Sequence, residues 1–345
     1  VVKIGKDAHG LVFENLTFAY AQQAFTAEGR NVVFDGCDFH SFMSASKISG
    51  SMSSVRRSKF SHLGQGGVEL SGGDRQYLIR ALNVVEDCEF EDFEHVQQTY
   101  CPAVSLQGCG NVVRHCRIHD SAHEAVGYMG SEHLIGWNEF YHVLRETQDC
   151  GAIYTGRSTS TLGTQIIGNH FHDIDTGNVT AVYFDDCGWG DDAVGNVFEN
   201  VYRAILIGGG KLHEIQWNVM KNCGVGIHVD RRGVTWQNRS AWLSGEEWHL
   251  KNFMDDGINP QSAIWMSAYP SLAKALQNTP REPWENVFCG NLLENCTTWT
   301  DIVARDTVEE DTCPGTNNLV LVKNVTAKSS RLIVKARMKP LIIPG

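Results

Sequence analysis

The chain has 345 residues and a formal net charge of -11. That acidic balance, with no dense run of Lys and Arg, excludes the basic footprint of a nucleic-acid binder, and no apolar run approaches the ~18 residues of a membrane span. Gly is common at 34, Pro scarce at 8 and charged residues only 20%, which suits a turn-rich β fold better than a helical or disordered one.

The opening VVKIGKDAHG carries no Met and no signal-peptide pattern, so it reads as a mature or trimmed piece. Eleven Cys are present. None forms a CxxC pair, which argues against a structural zinc site, and the odd count leaves at least one unpaired within the chain. Sequons begin at Asn15, Asn178, Asn238, Asn295 and Asn324. Cys and sequons together lean toward a secreted or periplasmic setting.

From residue 32 a unit recurs: VVFDGCDF, VVEDCEF, VVRHCRI, LIGWNEF, IIGNHF, AVGNVF and EIQWNVM. Its marker residue falls at Cys37, Ser58, Cys88, Cys116, Asn138, Asn169, Asn196 and Asn218, at intervals of 21 to 31 residues, with Asn291 and Asn324 in two later runs. A second apolar run follows each first one: PAVSLQG, EAVGYMG, GAIYTGR, AVYFDDC, RAILIGG and GIHVDRR. Units this short cannot form separate cores, and they leave no room for a crossover helix. Stacked, they bury one continuous interior. The predicted fold is all-β, a right-handed parallel β-helix. The Asn markers then form an inward column whose amides satisfy one another and the turn backbone. Cys37, Cys88 and Cys116 fall in the same column as buried thiols.

The rhythm stops near Gly233. Residues 234–285 are Trp-rich and irregular and read as an excursion from the wall, lining or covering it, within a single 1–345 domain. Ser271 to Asn278 reads as a short helix with Ser as N-cap. The coil pattern resumes at ENVFCGNLLENC and NLVLVKNVT.

Strand residues alternate between faces. One outward column reads Gly127, Tyr154, Tyr183, Leu206, His228. The next reads Met129, Gly156, Asp185, Gly208, Asp230. Asp185 therefore has glycine below and above it, which leaves a hollow floored by Tyr154 and Tyr183. Arg157 and Arg231 are expected on either side of Asp186. At ~4.8 Å per coil, Asp185 and Asp230 lie roughly 9–10 Å apart. Asp149 comes from the turn one coil below Asp185. Exposed aromatics, carboxylates and arginines beside a hollow suit a sugar, and carboxyl pairs at such separations carry glycoside hydrolysis. His123, Arg145 and Glu146 lie in turns near the same strip. An Asp in such turns also commonly caps backbone amides. His119, His142 and His172 follow the marker at one repeated offset and read as stacked turn residues, not metal ligands. GGG at 208–210 lacks the GK[ST] and helix of a phosphate loop.

The runs AHGLVFENLTFAYA, VELSGGDR, TYCPAVSLQGCGNVVRHCRIHD, HLIGWNEFYHVLRETQDCGAIYTGR, YFDDC, AILIGGG and GIHVDRRG resemble the β-helix proteins of bacterial carbohydrate utilisation. The resemblance is to glycoside hydrolase family 141, which includes α-L-fucosidase and xylanase activities. It implies that Asp149 and the Asp185/Asp186 pair match the catalytic carboxylates. Family members carry a small β-domain before the AHGLVFENLTF segment. They also have Ala after the first acid and Gly after the DD pair, where this chain has Cys150 and Cys187. These two Cys fall at like positions of adjacent coils, where a disulfide is conceivable.

The expected activity is hydrolysis of a plant- or algal-type polysaccharide or oligosaccharide. Asp149 or Asp185 would be the acid, another carboxylate the base or nucleophile, and Tyr154, Tyr183, His228, Asp230, Arg231, Arg157, Glu146 and His123 substrate contacts. No cofactor or metal is required. A polysaccharide lyase or epimerase using Arg157, Arg231 and His228 is the alternative on the same scaffold, and a non-catalytic binding or structural solenoid is the third reading. Oligomeric state stays open.

Overall fold

Each repeat bends sharply after its first apolar pair. The residue before the marker adopts a left-handed backbone in coil after coil, at Gly36, Arg57, Asp87, His115, Trp137, Gly168, Gly195, Trp217 and Gly290. One such residue per corner turns the chain without a loop. Most of these positions carry a side chain and bear the ~1–2 kcal/mol cost of that conformation, so the stacked neighbours must hold it in place.

The computed structural model describes residues 1–240, 243, 248–277, 281–283, 285–302 and 319–322. Among these residues the chain winds into three parallel sheets of 11, 10 and 11 strands, each strand bonded to its equivalent in the next coil. This is the expected right-handed parallel β-helix.

The interior is built from stacked like residues. Phe39, Phe60 and Phe90 stack with centroids 4.5 and 4.6 Å apart, and Phe140, Phe171 and Phe198 at 4.8 and 4.9 Å. Offset stacking of rings adds to the area they bury. The Asn column forms as expected. Asn138 donates through its backbone N and Nδ2 to Asn169 Oδ1 at 2.9 and 3.0 Å. Asn169 does the same to Asn196, Asn196 to Asn218 and Asn218 to Asn291. The column continues downward through Cys116, whose N–H donates to Asn138 Oδ1, and Cys37, whose N–H donates to Ser58 Oγ. Cys37, Cys88 and Cys116 are buried free thiols. Asn324 lies outside the described residues.

A second ladder at the preceding corner was not anticipated. Val32 N donates to Ser53 Oγ, Ser53 N to Asn83 Oδ1, Asn111 N to His133 Nδ1, Thr164 N to Asp191 Oδ1 and His213 N to Asn286 Oδ1. It does the same work with changing residue types.

Among its described residues the excursion holds three α-helices, Trp248–Asp255, Ala263–Ala268 and Leu272–Ala275. Only the last was expected. It is shorter than the reading, and Ser271 makes no side-chain capping bond; Asn278 lies outside the described residues. Phe253, Ile258, Trp265 and Leu272 form a separate apolar cluster with Leu162 and Trp189 of the coils. Thr159 Oγ1 donates to His249 O at 2.6 Å and Trp265 Nε1 to Arg75 O at 3.0 Å, which pins the excursion to the outer wall. No helix among the described residues is long and apolar enough to cross a membrane.

Candidate functional site

The site strands are Val126–Tyr128, Cys150–Gly156, Val179–Asp185, Arg203–Gly208 and Val225–Asp230, neighbours in one sheet. Their register pairs Gly127 with Tyr154, Tyr154 with Tyr183, Tyr183 with Leu206 and Leu206 with His228. Gly156 pairs with Asp185 and Gly208 with Asp230. The outward columns are those expected from alternation.

Arg232 organises the acids. Its guanidinium bonds both oxygens of Asp230 at 2.7 to 3.1 Å, Asp185 Oδ1, Asp186 Oδ1 at 3.3 Å and the Tyr183 hydroxyl at 3.1 Å. It lies in the space over Gly208, where an added Cβ would stand 2.5 Å from its central carbon. The hollow expected above Asp185 is thus filled. Arg231, expected beside Asp186, instead pairs with Glu282 at 2.5 Å. The chain leaves the strand after Asp230 and turns, so alternation stops applying at that point, and Arg232 reaches back to the acids instead.

Asp185 Oδ2 accepts from the Tyr154 hydroxyl at 2.8 Å, and Oδ1 also accepts from the Asp186 N–H at 2.7 Å. Burial raises the Asp185 carboxyl, Arg232 lowers it and the Asp186 charge raises it again, with a net shift upward. Asp186 is buried, which alone would raise it. Arg157 at 2.8 Å and Gln237 at 2.5 Å, with Arg232, bring it below the usual carboxylate range. Asp230 is half-buried, which would also raise it, yet His228 and Arg232 bring it down to about 2. Asp149 is exposed, and its Oδ1 accepts from the Tyr183 hydroxyl at 3.4 Å. Two tyrosines on adjacent coils therefore hold two carboxylates.

A cavity of about 370 Å³ opens beside this cluster, toward the N-terminal coils. It is lined by Tyr100, Pro102, Glu124, Tyr154, Gly156 and Arg157 among others. Glu124 escaped the sequence reading. It precedes its strand, and the neighbouring coil has Gly151 at the corresponding place, so no column of acids marks it. Its carboxyl is buried, and burial alone pushes it up to about 8. Behind it, burial pushes Glu94 up to about 9, against the lowering effect of the His123 N–H and helped by the Glu124 charge. His123 is itself buried and brought down to about 4, and its ring stands 5.0 Å from that of Tyr100. Glu146 is exposed and accepts from Gln98 at 2.7 Å. His228 lies 3.8 Å from Asp230.

Cys150 and Cys187 are buried free thiols, which corrects the conceivable disulfide. Cys150 opens its strand and pairs in register with Val179, whereas Cys187 lies past the end of the next strand.

On another sheet His119 stacks on Tyr141 at 4.6 Å and Tyr141 on His172 at 5.0 Å. The register aligns Tyr141, not His142, with the two histidines, and His119 and His172 lie in strands rather than turns. Two groups on this face bring candidate metal ligands together, Glu139 with His170 and His172, and Glu89 with Glu91 and His119. In the second, the Lys59 ammonium already bridges Glu89 and Glu91 at 3.3 and 2.7 Å.

The sequence profile of the right-handed β-helix region matches residues 3–171 and 47–241. Comparison with curated proteins gives no match. Two solved structures are similar to the chain. One, described as "Glycoside hydrolase", is 15% identical with a TM-score of 0.41, over 59% of this chain and 38% of that one. The other, "The complex structure of XylC with xylose", is 12% identical with a TM-score of 0.39, over 80% of this chain and 55% of that one. The chain thus spans less than two thirds of either.

Proposed function

We propose that this chain, which belongs to the right-handed β-helix family, is a carbohydrate-active enzyme that hydrolyses glycosidic bonds in a polysaccharide. One observation carries the reading. Asp149 and Asp185 sit on adjacent coils, each bonded by a tyrosine hydroxyl, beside a cavity lined by Tyr100, Tyr154 and Arg157. Aromatic walls stack on sugar faces, and fixed polar groups bond hydroxyls. Carboxyl groups on both sides of a bound sugar supply what glycoside hydrolysis needs: one protonates the leaving oxygen and another activates water or attacks the anomeric carbon.

The arginines argue against proton abstraction beside a uronate. Arg157 is paired with Asp186, Arg231 with Glu282 and Arg232 with three aspartates, so their charge is already matched by the protein. A plant- or algal-type substrate and a place in glycoside hydrolase family 141 rest on the motif resemblance from Glu146 to Arg157 and at YFDD. Secretion or a periplasmic location belongs to the same proposal.

The test is a panel of plant and algal glycans, read for reducing sugar and ultraviolet absorbance together, with wild type, Asp149→Asn and Asp185→Asn. Sugar release without absorbance, reduced by about 10²–10⁴-fold in a variant, is the expected result. A rise in absorbance from a new double bond would replace hydrolysis by elimination.

A further inference from the structure

Glu124 is a buried carboxyl in contact with the cavity yet outside every ion pair found among the described residues. Its Oε2 has no hydrogen-bond partner. Its Oε1 lies over Gly127, where an added Cβ would stand 3.3 Å away. Gly127 is the register neighbour of Tyr154, so the carboxyl stands over the coil next to the one that carries the Tyr154 ring, and both line the cavity. A buried polar atom without a partner calls for a physical reason, and here it belongs to a carboxyl that lines the cavity.

The other acids are poorly suited to giving a proton. Asp185 accepts on both oxygens, from Arg232, the Asp186 N–H and Tyr154. Asp186 and Asp230 are held by guanidinium groups. Asp149 is exposed to water. Glu124 has no ion-pair partner among the described residues, with buried Glu94 and His123 behind it, and burial pushes its carboxyl up to about 8.

We propose that Glu124 is the proton donor of this site, delivering its carboxyl hydrogen to the leaving oxygen of a sugar seated against Tyr154. The glycosidic C–O bond breaks and its electron pair goes to the leaving oxygen, which takes the Glu124 proton. Water adds to the anomeric carbon and gives its proton to a carboxylate, for which Asp149 is the exposed candidate. The inference rests on the hydrolase reading above.

Glu124→Gln keeps the shape and neutral charge, and its melting curve checks that it folds. The probes are the glycan that wild type cleaves and the 2,4-dinitrophenyl glycoside of the released sugar, whose phenolate leaves without a proton. The expected result is a loss of about 10²–10⁴-fold on the glycan and less than about tenfold on the dinitrophenyl glycoside. The alkaline fall in wild-type kcat/KM should lie near pH 8 and vanish in the variant. Equal losses on both probes, or none on the glycan, would overturn the assignment while leaving hydrolysis intact. Inactivity of the wild type on every glycan would remove the hydrolase reading and this inference with it. Infrared spectra at pH 7 give a check independent of turnover: wild type minus Glu124→Gln should show a protonated carboxyl band, and its absence would also overturn the inference.

Discussion

Arg232 bonds Asp185, Asp186 and Asp230 from a position only 5% exposed to solvent. Two buried carboxylates and the half-buried Asp230 around one guanidinium leave a net negative charge, which Arg157 offsets at Asp186 while the Gln237 amide donates a hydrogen bond there. Removing a partner from a buried charge network costs ~3–5 kcal/mol, because the remaining charges stay desolvated. Arg232→Met should therefore lower the stability of these coils by that order, read as a fall in the urea midpoint. Arg232→Lys should recover only part of it, since an ammonium lacks the planar fork. A Met variant as stable as wild type would mean that the acids take up protons instead. Sequence reasoning placed the two acids and both tyrosines because strand alternation is rigid. It gave the wrong arginine because residues 232–239 turn, and no period governs a turn.

At the scale of the element, the ladders carry the fold. Asn196 Oδ1 accepts from both the backbone N and Nδ2 of Asn169, and its own Nδ2 donates to Ile166 O at 2.9 Å. Each buried group left without a partner costs ~1–3 kcal/mol. Asn196→Ala should cost more than one such bond, about 2–5 kcal/mol, and Asn196→Ser less, since Ser58 Oγ already accepts a coil N–H in this column. Equal urea midpoints for the two variants would show that the ladder amide adds nothing beyond filling space. The Asn column was legible because one residue type repeats at one offset. The second ladder was not, because Ser, Asn, His and Asp all offer an acceptor there and no letter repeats. The helices Trp248–Asp255 and Ala263–Ala268 were missed for a related reason. They are short, and their anchoring comes from Leu162, Trp189 and Arg75, distant in sequence.

At the scale of the whole molecule, the repeat was enough to read the fold, because stacking is the way such short units bury a common interior. The site was legible in part, since burial of single carboxyls leaves no mark in a repeat. Those carboxyls set how stability depends on pH. Glu94 and Glu124, pushed up to about 9 and about 8, stay protonated in the fold at pH values where the unfolded chain, near 4.3 for Glu, has released the proton. The native state then binds more protons, so stability falls as pH rises from about 4.5 toward 9. Asp230, brought down to about 2, acts in the opposite sense: its contribution is complete above the unfolded value near 3.9 and is lost as pH falls toward 2. Burial brings His123, His133 and His213 down to about 4, so these rings oppose the glutamates below about pH 6.5, and a variant isolates the glutamate effect. Glu94→Gln keeps an acceptor for the His123 N–H and removes one of the alkaline penalties. Its urea midpoint should match wild type at pH 4.5 and exceed it at pH 8, by an amount that grows with pH at up to ~1.4 kcal/mol per unit. A constant difference across that range would mean that Glu94 is not held neutral by the fold.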